Sequence, residues 1–122
     1  MDILIKIIIG FVAFEHLYFL YIEMFAWETK GKATFKSLPA DLFTPTKGMA
    51  ANQGLYNGFL AAGLIWSLFI QDLAWQSYVA IFFLTCVVVA GIFGGITVSK
   101  KIFYIQASPA LVALGLIIIK LA

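Results

Sequence analysis

The sequence predicts an all-α fold, a bundle of four transmembrane helices in which neighbouring helices run antiparallel. Three observations predict it: an apolar composition, four apolar segments of membrane-spanning length, and lysines concentrated in alternate connections. Of the 122 residues, 63% are hydrophobic and 11% are charged, whereas soluble domains average about 45–50% apolar and about 25% charged residues. A chain of this length cannot hide so much apolar surface, so the bilayer is expected to be its main solvent.

Four apolar segments account for the four helices. Each is close to, or longer than, the roughly 20 residues that an α-helix needs to cross the hydrocarbon layer. In that layer every backbone polar group must be bonded within its own segment, and four strands cannot close a barrel, so helices are favoured. The expected helices lie at about 3–27, 53–70, 73–98 and 102–121 of a single membrane domain, 1–122.

The first segment superficially resembles a secretory signal peptide, because Lys6 precedes an apolar stretch. The stretch is longer than a signal h-region, contains Glu15 and His16, and lacks a small-residue cleavage site before its end. It is therefore interpreted as a retained first helix.

The connections between helices predict the orientation. Lysines are found in the connections at 28–52 and 99–101, and none is found at the tight connection around Gln71 and Asp72. By the positive-inside rule, both basic connections are cytoplasmic and both termini lie on the outer side of the cell membrane. The apolar residues of the longest connection are suited to lying on the membrane surface; they are Phe35, Leu38, Leu42 and Phe43.

Small residues predict close helix packing. Gly54 and Gly58 form one G-x-x-x-G spacing, and Gly91 and Gly95 form a second. Such spacings let the backbones of two membrane helices approach closely. The sequence leaves open whether these seams lie within one chain or join the copies of a homo-oligomer.

Pro109 predicts a kink in the fourth helix. Because proline lacks an amide hydrogen, it should free the carbonyl group of Ile105 from its helical hydrogen bond. Such irregularities are tolerated where neighbouring groups satisfy the loose carbonyl.

Ionisable and amide side chains lie inside the apolar segments, where a centrally placed charge costs roughly 2.5–3.5 kcal/mol. At about 100° per residue, His16 and Glu23 fall within roughly 20° of each other on one helix face, and Glu15 is turned away by about 100°. The His16–Glu23 face is expected to meet polar residues of the second and fourth helices. The predicted ligand-binding set is Glu15, His16, Glu23, Asn52, Gln53, Asn57 and Gln106.

His16 and Glu23 are the candidate catalytic residues, because imidazole and carboxyl groups are the usual general acids and bases. The alternative is purely structural, since polar residues often form hydrogen bonds between membrane helices. One histidine and one cysteine do not suggest a metal site. No cofactor is predicted, and the net charge of +2 is too small to suggest nucleic acid as a partner.

Several blocks resemble the small four-helix membrane-protein family called domain of unknown function thirteen-oh-four. They are E-H-L-Y-F-L-Y-I-E-M-F-A-W at 15–27, A-A-N-Q-G-L-Y-N-G-F-L-A-A-G-L-I-W at 50–66, A-G-I-F-G-G-I-T at 90–97 and Q-A-S-P-A-L at 106–111. The resemblance covers essentially the whole chain and implies an integral membrane protein with this same topology. It implies no activity.

Three functional hypotheses follow. The first is a protein that binds or moves a small or lipid-like molecule in an intramembrane polar pocket, with protonation of glutamate or histidine. The second is a membrane-embedded enzyme of the isomerase type that uses the same side chains for acid–base chemistry. The third is a structural subunit of a larger membrane complex. Whether the protein is an enzyme stays open, and the lipid bilayer is the partner that all three share.

Overall fold

A computed structural model describes residues 1–122. Its regular secondary structure is entirely helical, and it contains no strand. The all-α prediction is therefore confirmed. Shorter turns connect the first two of its long helices: a π-helical turn at Trp27–Gly31, an α-helical turn at Lys32–Thr34 and a 3-10 turn at Ala40–Leu42. The long helices are α1 (Ile3–Phe25), α2 (Lys47–Phe69), α3 (Leu73–Thr97) and α4 (Lys100–Leu121), and α4 includes a π-helical turn at Phe103–Ala107.

Three of the long helices, α1, α3 and α4, are long and apolar enough to cross a membrane. The polar side chains of Asn52, Gln53 and Asn57 make the first half of α2 less apolar. Helix α2 begins at Lys47 rather than at the predicted Gln53. Hydropathy marks the part of a helix that suits lipid, whereas the helix itself continues through residues such as Met49 and Ala50 that favour helical backbone.

The chain forms two compact units, and the first consists of Met1–Glu15 and Leu60–Ala122. Its core is built from apolar side chains of all four long helices. The core combines alanines with branched aliphatic side chains. The core residues are Ile5, Ile9, Val12, Ala13, Leu64, Ala80, Leu84, Val87, Val88, Ala110, Ala113 and Ile117.

Within the first unit, glycines of α3 pack directly against α4. A Cβ atom on Gly91 would lie only 2.8 Å from the backbone nitrogen of Ala107. One on Gly95 would lie 2.7 Å from the Cβ atom of Phe103. The second predicted glycine seam is therefore occupied by contacts within one chain, and homo-oligomerisation stays a prediction.

Helix α4 is irregular just before Pro109, while the kink and the release of the Ile105 carbonyl stay predictions. Helix α4 widens into the π-helical turn Phe103–Ala107, and the amide of Ser108 donates to the carbonyl of Phe103. Pro109 then lies in the first turn of the regular segment Ser108–Leu121. Such π-helical insertions are a recognised way of accommodating a break in the regular α-helical ladder.

The second unit, His16–Phe59, contains the end of α1, the connecting turns and the start of α2. The connection is ordered around Trp27, whose ring lies 4.8 Å from that of Phe43 and 5.4 Å from that of Phe35. The indole nitrogen of Trp27 donates to the hydroxyl oxygen of Thr46 at 3.1 Å. Phe43 is only 1% exposed, so its interpretation as a residue on the membrane surface is wrong. It packs into the unit instead.

Candidate functional site

Glu23 lies in the last turn of α1 and is only 2% exposed. Its burial follows from the close approach of α2. A Cβ atom on Gly54 would lie 3.0 Å from the Cβ atom of Glu23 and 3.3 Å from the carbonyl oxygen of Leu20. Gly58 faces Leu20 in the same way. The first glycine pair therefore brings the α2 backbone against the Glu23 side of α1.

The two oxygens of the Glu23 carboxyl group differ in their surroundings. Asn57 of α2 donates from Nδ2 to Glu23 Oε1 at 2.9 Å. The amide side chain of Gln53 also lies close enough to interact with this carboxyl group. Glu23 Oε2 is buried and has no hydrogen-bond partner in the protein. Because buried polar atoms are normally paired, this oxygen is the unusual atom of the site.

His16 lies two turns before Glu23 on α1 and is fully buried. Its ring meets the ring of Phe19 edge-on, with 5.5 Å between the ring centroids. The sequence spacing placed His16 and Glu23 on one helix face, and both are indeed buried. They are separated by about 10 Å along the helix axis, so each has its own surroundings.

The other predicted residues divide between the two units. Asn52 is exposed and donates to the carbonyl of Gly48 on its own helix, at 3.3 Å. Glu15 is half-buried in the first unit, where its Oε2 atom has no partner. Gln106 is half-buried on the π-helical turn of the same unit. Glu23, Asn57 and Gln53 are thus the predicted residues that the second unit brings together, while the role of the whole set stays a prediction.

No cation of the protein neutralises Glu23. The ion pairs of the chain join Lys47 to Glu28, at 3.2 Å, and Lys120 to Asp2. Glu28 lies just beyond the end of α1 and also accepts a hydrogen bond from the hydroxyl of Thr44 at 2.8 Å. That hydrogen bond, followed by Lys47, holds the pKa of Glu28 below its usual range. Lys47 is therefore engaged with a different glutamate.

Gln76 was not selected from the sequence, although it is only 2% exposed. It lies in the first turns of α3, where Nε2 donates to the carbonyl of Ile70 at 3.3 Å and Oε1 has no partner. Ser67 and Ser77 are also buried in the first unit, and each donates to a carbonyl of its own helix. A glutamine four residues after the capping residue Asp72 was the available sequence signal.

Comparison with known proteins relates almost the whole chain to one family. The model of a family described as "Protein of unknown function (DUF1304)" matches residues 10–118. The uncharacterized protein YpaA of Lactococcus lactis subsp. lactis (strain IL1403) is 29% identical over 116 residues, which cover 93% of this chain and 96% of that protein. No solved structure matches the chain. The matched range includes the whole of the second unit, most of the first, and every predicted site residue.

Proposed function

The chain belongs to the DUF1304 family of proteins of unknown function, and we propose that it is a four-span protein of the cell membrane that binds or moves a small or lipid-like molecule at Glu23. One observation carries this proposal. Glu23 Oε2 is buried without a partner, while Oε1 is held in place by Asn57. One acceptor is therefore bonded to Asn57, and the other is buried with a bonding capacity that a ligand could fill.

A purely structural role explains this arrangement less well. A hydrogen bond between two helices needs one acceptor, and a glutamine at position 23 would supply it. The carboxyl group adds a second buried acceptor, and leaving such an atom unpaired costs about 1–3 kcal/mol. A proton or a donor from a ligand offsets that cost, so the extra oxygen supports a binding site.

We assign different roles to the neighbouring residues. Glu23 contacts the ligand, and Asn57 holds the carboxyl group in position through its hydrogen bond, with the amide of Gln53 beside it. His16 is the second titratable group on the buried face of α1, about 10 Å from Glu23 along the helix. Glu15, Asn52 and Gln106 stay in the predicted binding set.

The proposed topology uses α2 as the fourth span. Helix α2 has 23 residues and α3 has 25, and only residues 70–72 separate them. Such a short link favours two antiparallel spans. Lysines in 28–52 and at 99–101 then lie in the cytoplasm, with both termini outside.

The topology is tested by labelling intact cells with a membrane-impermeant maleimide. Cys86 is the only cysteine, so Cys86→Ala gives a cysteine-free background for Ser37→Cys and Ala122→Cys. We expect Ala122→Cys to react from outside, and Ser37→Cys to react only after the cells are permeabilised. Labelling of both positions from the same side would mean that α2 does not cross the membrane.

The binding site is tested by identifying molecules that stay with the protein when it is extracted in lipid nanodiscs. Glu23→Gln keeps an acceptor for Asn57 and removes the carboxyl group. Asp41→Asn, in an exposed turn outside the helices, is the matched control. We expect native mass spectrometry to find a small molecule bound to the wild type and to Asp41→Asn, but not to Glu23→Gln. Identical spectra for all three proteins would refute the proposed site.

A further inference from the structure

The open oxygen of Glu23 restricts the chemistry of its ligand. An ionised carboxylate accepts hydrogen bonds and donates none. Asn57 already donates to Oε1, whereas Oε2 is buried with no partner. A ligand that reaches Oε2 must therefore bring a hydrogen-bond donor.

The charges around Glu23 further restrict the chemistry of its ligand. On α2, the residues that act on the carboxyl group are the uncharged amides of Asn57 and Gln53. On α1, His16 is the titratable residue of the same buried face. Beyond the end of α1, Glu28 and Lys47 are paired with each other. An unpaired carboxylate in such a place is costly, so the group carries either a proton or an external cation.

We propose that the ligand is a monovalent lipophilic organic cation, of the protonated-amine class, which takes the place of a proton on Glu23. This inference rests on the proposed function and names the ligand class of that same site. The amine donates to Oε2 while its charge compensates the carboxylate. One proton leaves for each cation bound, so the charge of the site does not change. An anionic ligand would instead place a second negative charge beside Glu23.

The surface of the second unit suits such a ligand. Aromatic side chains of α1 and α2 are exposed on this unit: Tyr18, Tyr21, Tyr56 and Phe59. One of them already holds a cation, because the ammonium group of Lys30 lies 5.5 Å from the ring centroid of Tyr21. Aromatic faces attract organic cations, and more strongly where water is excluded. A lipophilic amine can therefore be retained at this surface before it reaches Glu23.

Three probes with the same hydrocarbon skeleton separate charge from shape: phenylbutylamine, phenylbutanol and phenylpentanoate. Their radiolabelled forms are equilibrated with the protein in nanodiscs, and binding to empty nanodiscs is subtracted. We expect saturable binding of the amine alone, with an affinity that rises about tenfold per pH unit while Glu23 releases a proton. Glu23→Gln should weaken amine binding by at least about thirtyfold and remove the pH dependence.

Glu23→Asp shows whether a loss reflects the carboxyl group or a damaged fold. This variant keeps a carboxyl group, so we expect it to bind the amine in preference to the alcohol, with reduced affinity. Circular dichroism of both variants should match the wild type. A pH-indicator dye should record about one proton released per amine bound by the wild type.

The outcomes separate this inference from the function on which it rests. If the wild type binds the alcohol or the acid and Glu23→Gln does not, the ligand is not a cation, but Glu23 still forms a ligand site. If the amine binds and no proton is released, the amine does not replace a proton on Glu23. If no probe binds in a Glu23-dependent way, the cation class is wrong; if no molecule co-purifies through Glu23 either, the proposed function fails as well.

Discussion

Replacing Gly91 with alanine tests the packing of α3 against α4. The added Cβ atom would lie 2.8 Å from the backbone nitrogen of Ala107, whereas ordinary van der Waals contact begins at 3.4 Å. Since the obstructing atoms include backbone, no side-chain rotation relieves the overlap of about 0.6 Å. The helices must move apart, and overpacking of this kind costs about 1–3 kcal/mol. We expect a loss near the middle of that range, because Gly94 and Gly95 contact α4 beside it.

Gly115→Ala is the matched control, because a Cβ atom there meets nothing within 4 Å. Both substitutions carry the same change in helix propensity, up to about 1 kcal/mol in favour of alanine, so their difference isolates the packing effect. The free energy of unfolding is measured in mixed micelles by titration with a denaturing detergent, with helical circular dichroism as the signal. If Gly91→Ala is as stable as Gly115→Ala, the close approach at Ala107 is not present in the folded protein.

Three further substitutions test the second unit. Asn57→Leu removes the donor to Glu23 and should lower the free energy of unfolding by about 1 kcal/mol in the same titration; an unchanged value would mean that the hydrogen bond is not formed. Phe43→Ala removes a buried ring beside Trp27 and should cost about 3–5 kcal/mol, seen as faster protease cleavage within 28–52 than in the wild type. The hydrogen bond from Thr44 lowers the pKa of Glu28. Ionised Glu28 therefore stabilises the connection at pH values above the usual glutamate pKa, and this stabilisation is lost as the pH falls through the lowered pKa. Thr44→Val should move the pKa of Glu28 back up, as measured by NMR titration, and an unmoved pKa would contradict this cause.

The long helices were predictable because lipid leaves the backbone few alternatives. The first predicted segment, 3–27, corresponds to Ile3–Phe25 and the third, 73–98, to Leu73–Thr97. The start of α2 was missed because hydropathy reports where lipid begins, and Lys47 lies outside that region. The packed structure of the connection 28–52 was also missed. It depends on Trp27 meeting Phe43, and a contact between residues so far apart in the sequence leaves no periodic pattern.

The candidate site was predictable to the level of a helix face. The spacing of His16 and Glu23 placed both on one side of α1, and both are buried. The sequence could not tell which amides of α2 would face them, because Asn52 lies on a different face from Gln53 and Asn57 and the rotation of α2 depends on packing. Asn57 donates a hydrogen bond to Glu23, whereas Asn52 donates to a backbone carbonyl of its own helix.

The two glycine pairs have the same spacing and different consequences, which Gly54→Ala can reveal. Asparagine has a short side chain, so Asn57 reaches Glu23 only where the two helix backbones are close. A Cβ atom on Gly54 would meet the Cγ atom of Met24 at 2.8 Å and the Cβ atom of Glu23 at 3.0 Å. We therefore expect Gly54→Ala to weaken the binding of the amine probe as well as to reduce stability.

Gly91→Ala serves as the comparison, because its contact with Ala107 lies in the other unit. It should reduce stability and leave the affinity for the probe unchanged in the protein that remains folded. Equal losses of affinity in the two variants would mean that binding follows overall stability. A loss confined to Gly54→Ala would mean that the first glycine pair has a separate function, which is to hold an uncharged amide against a buried carboxyl group.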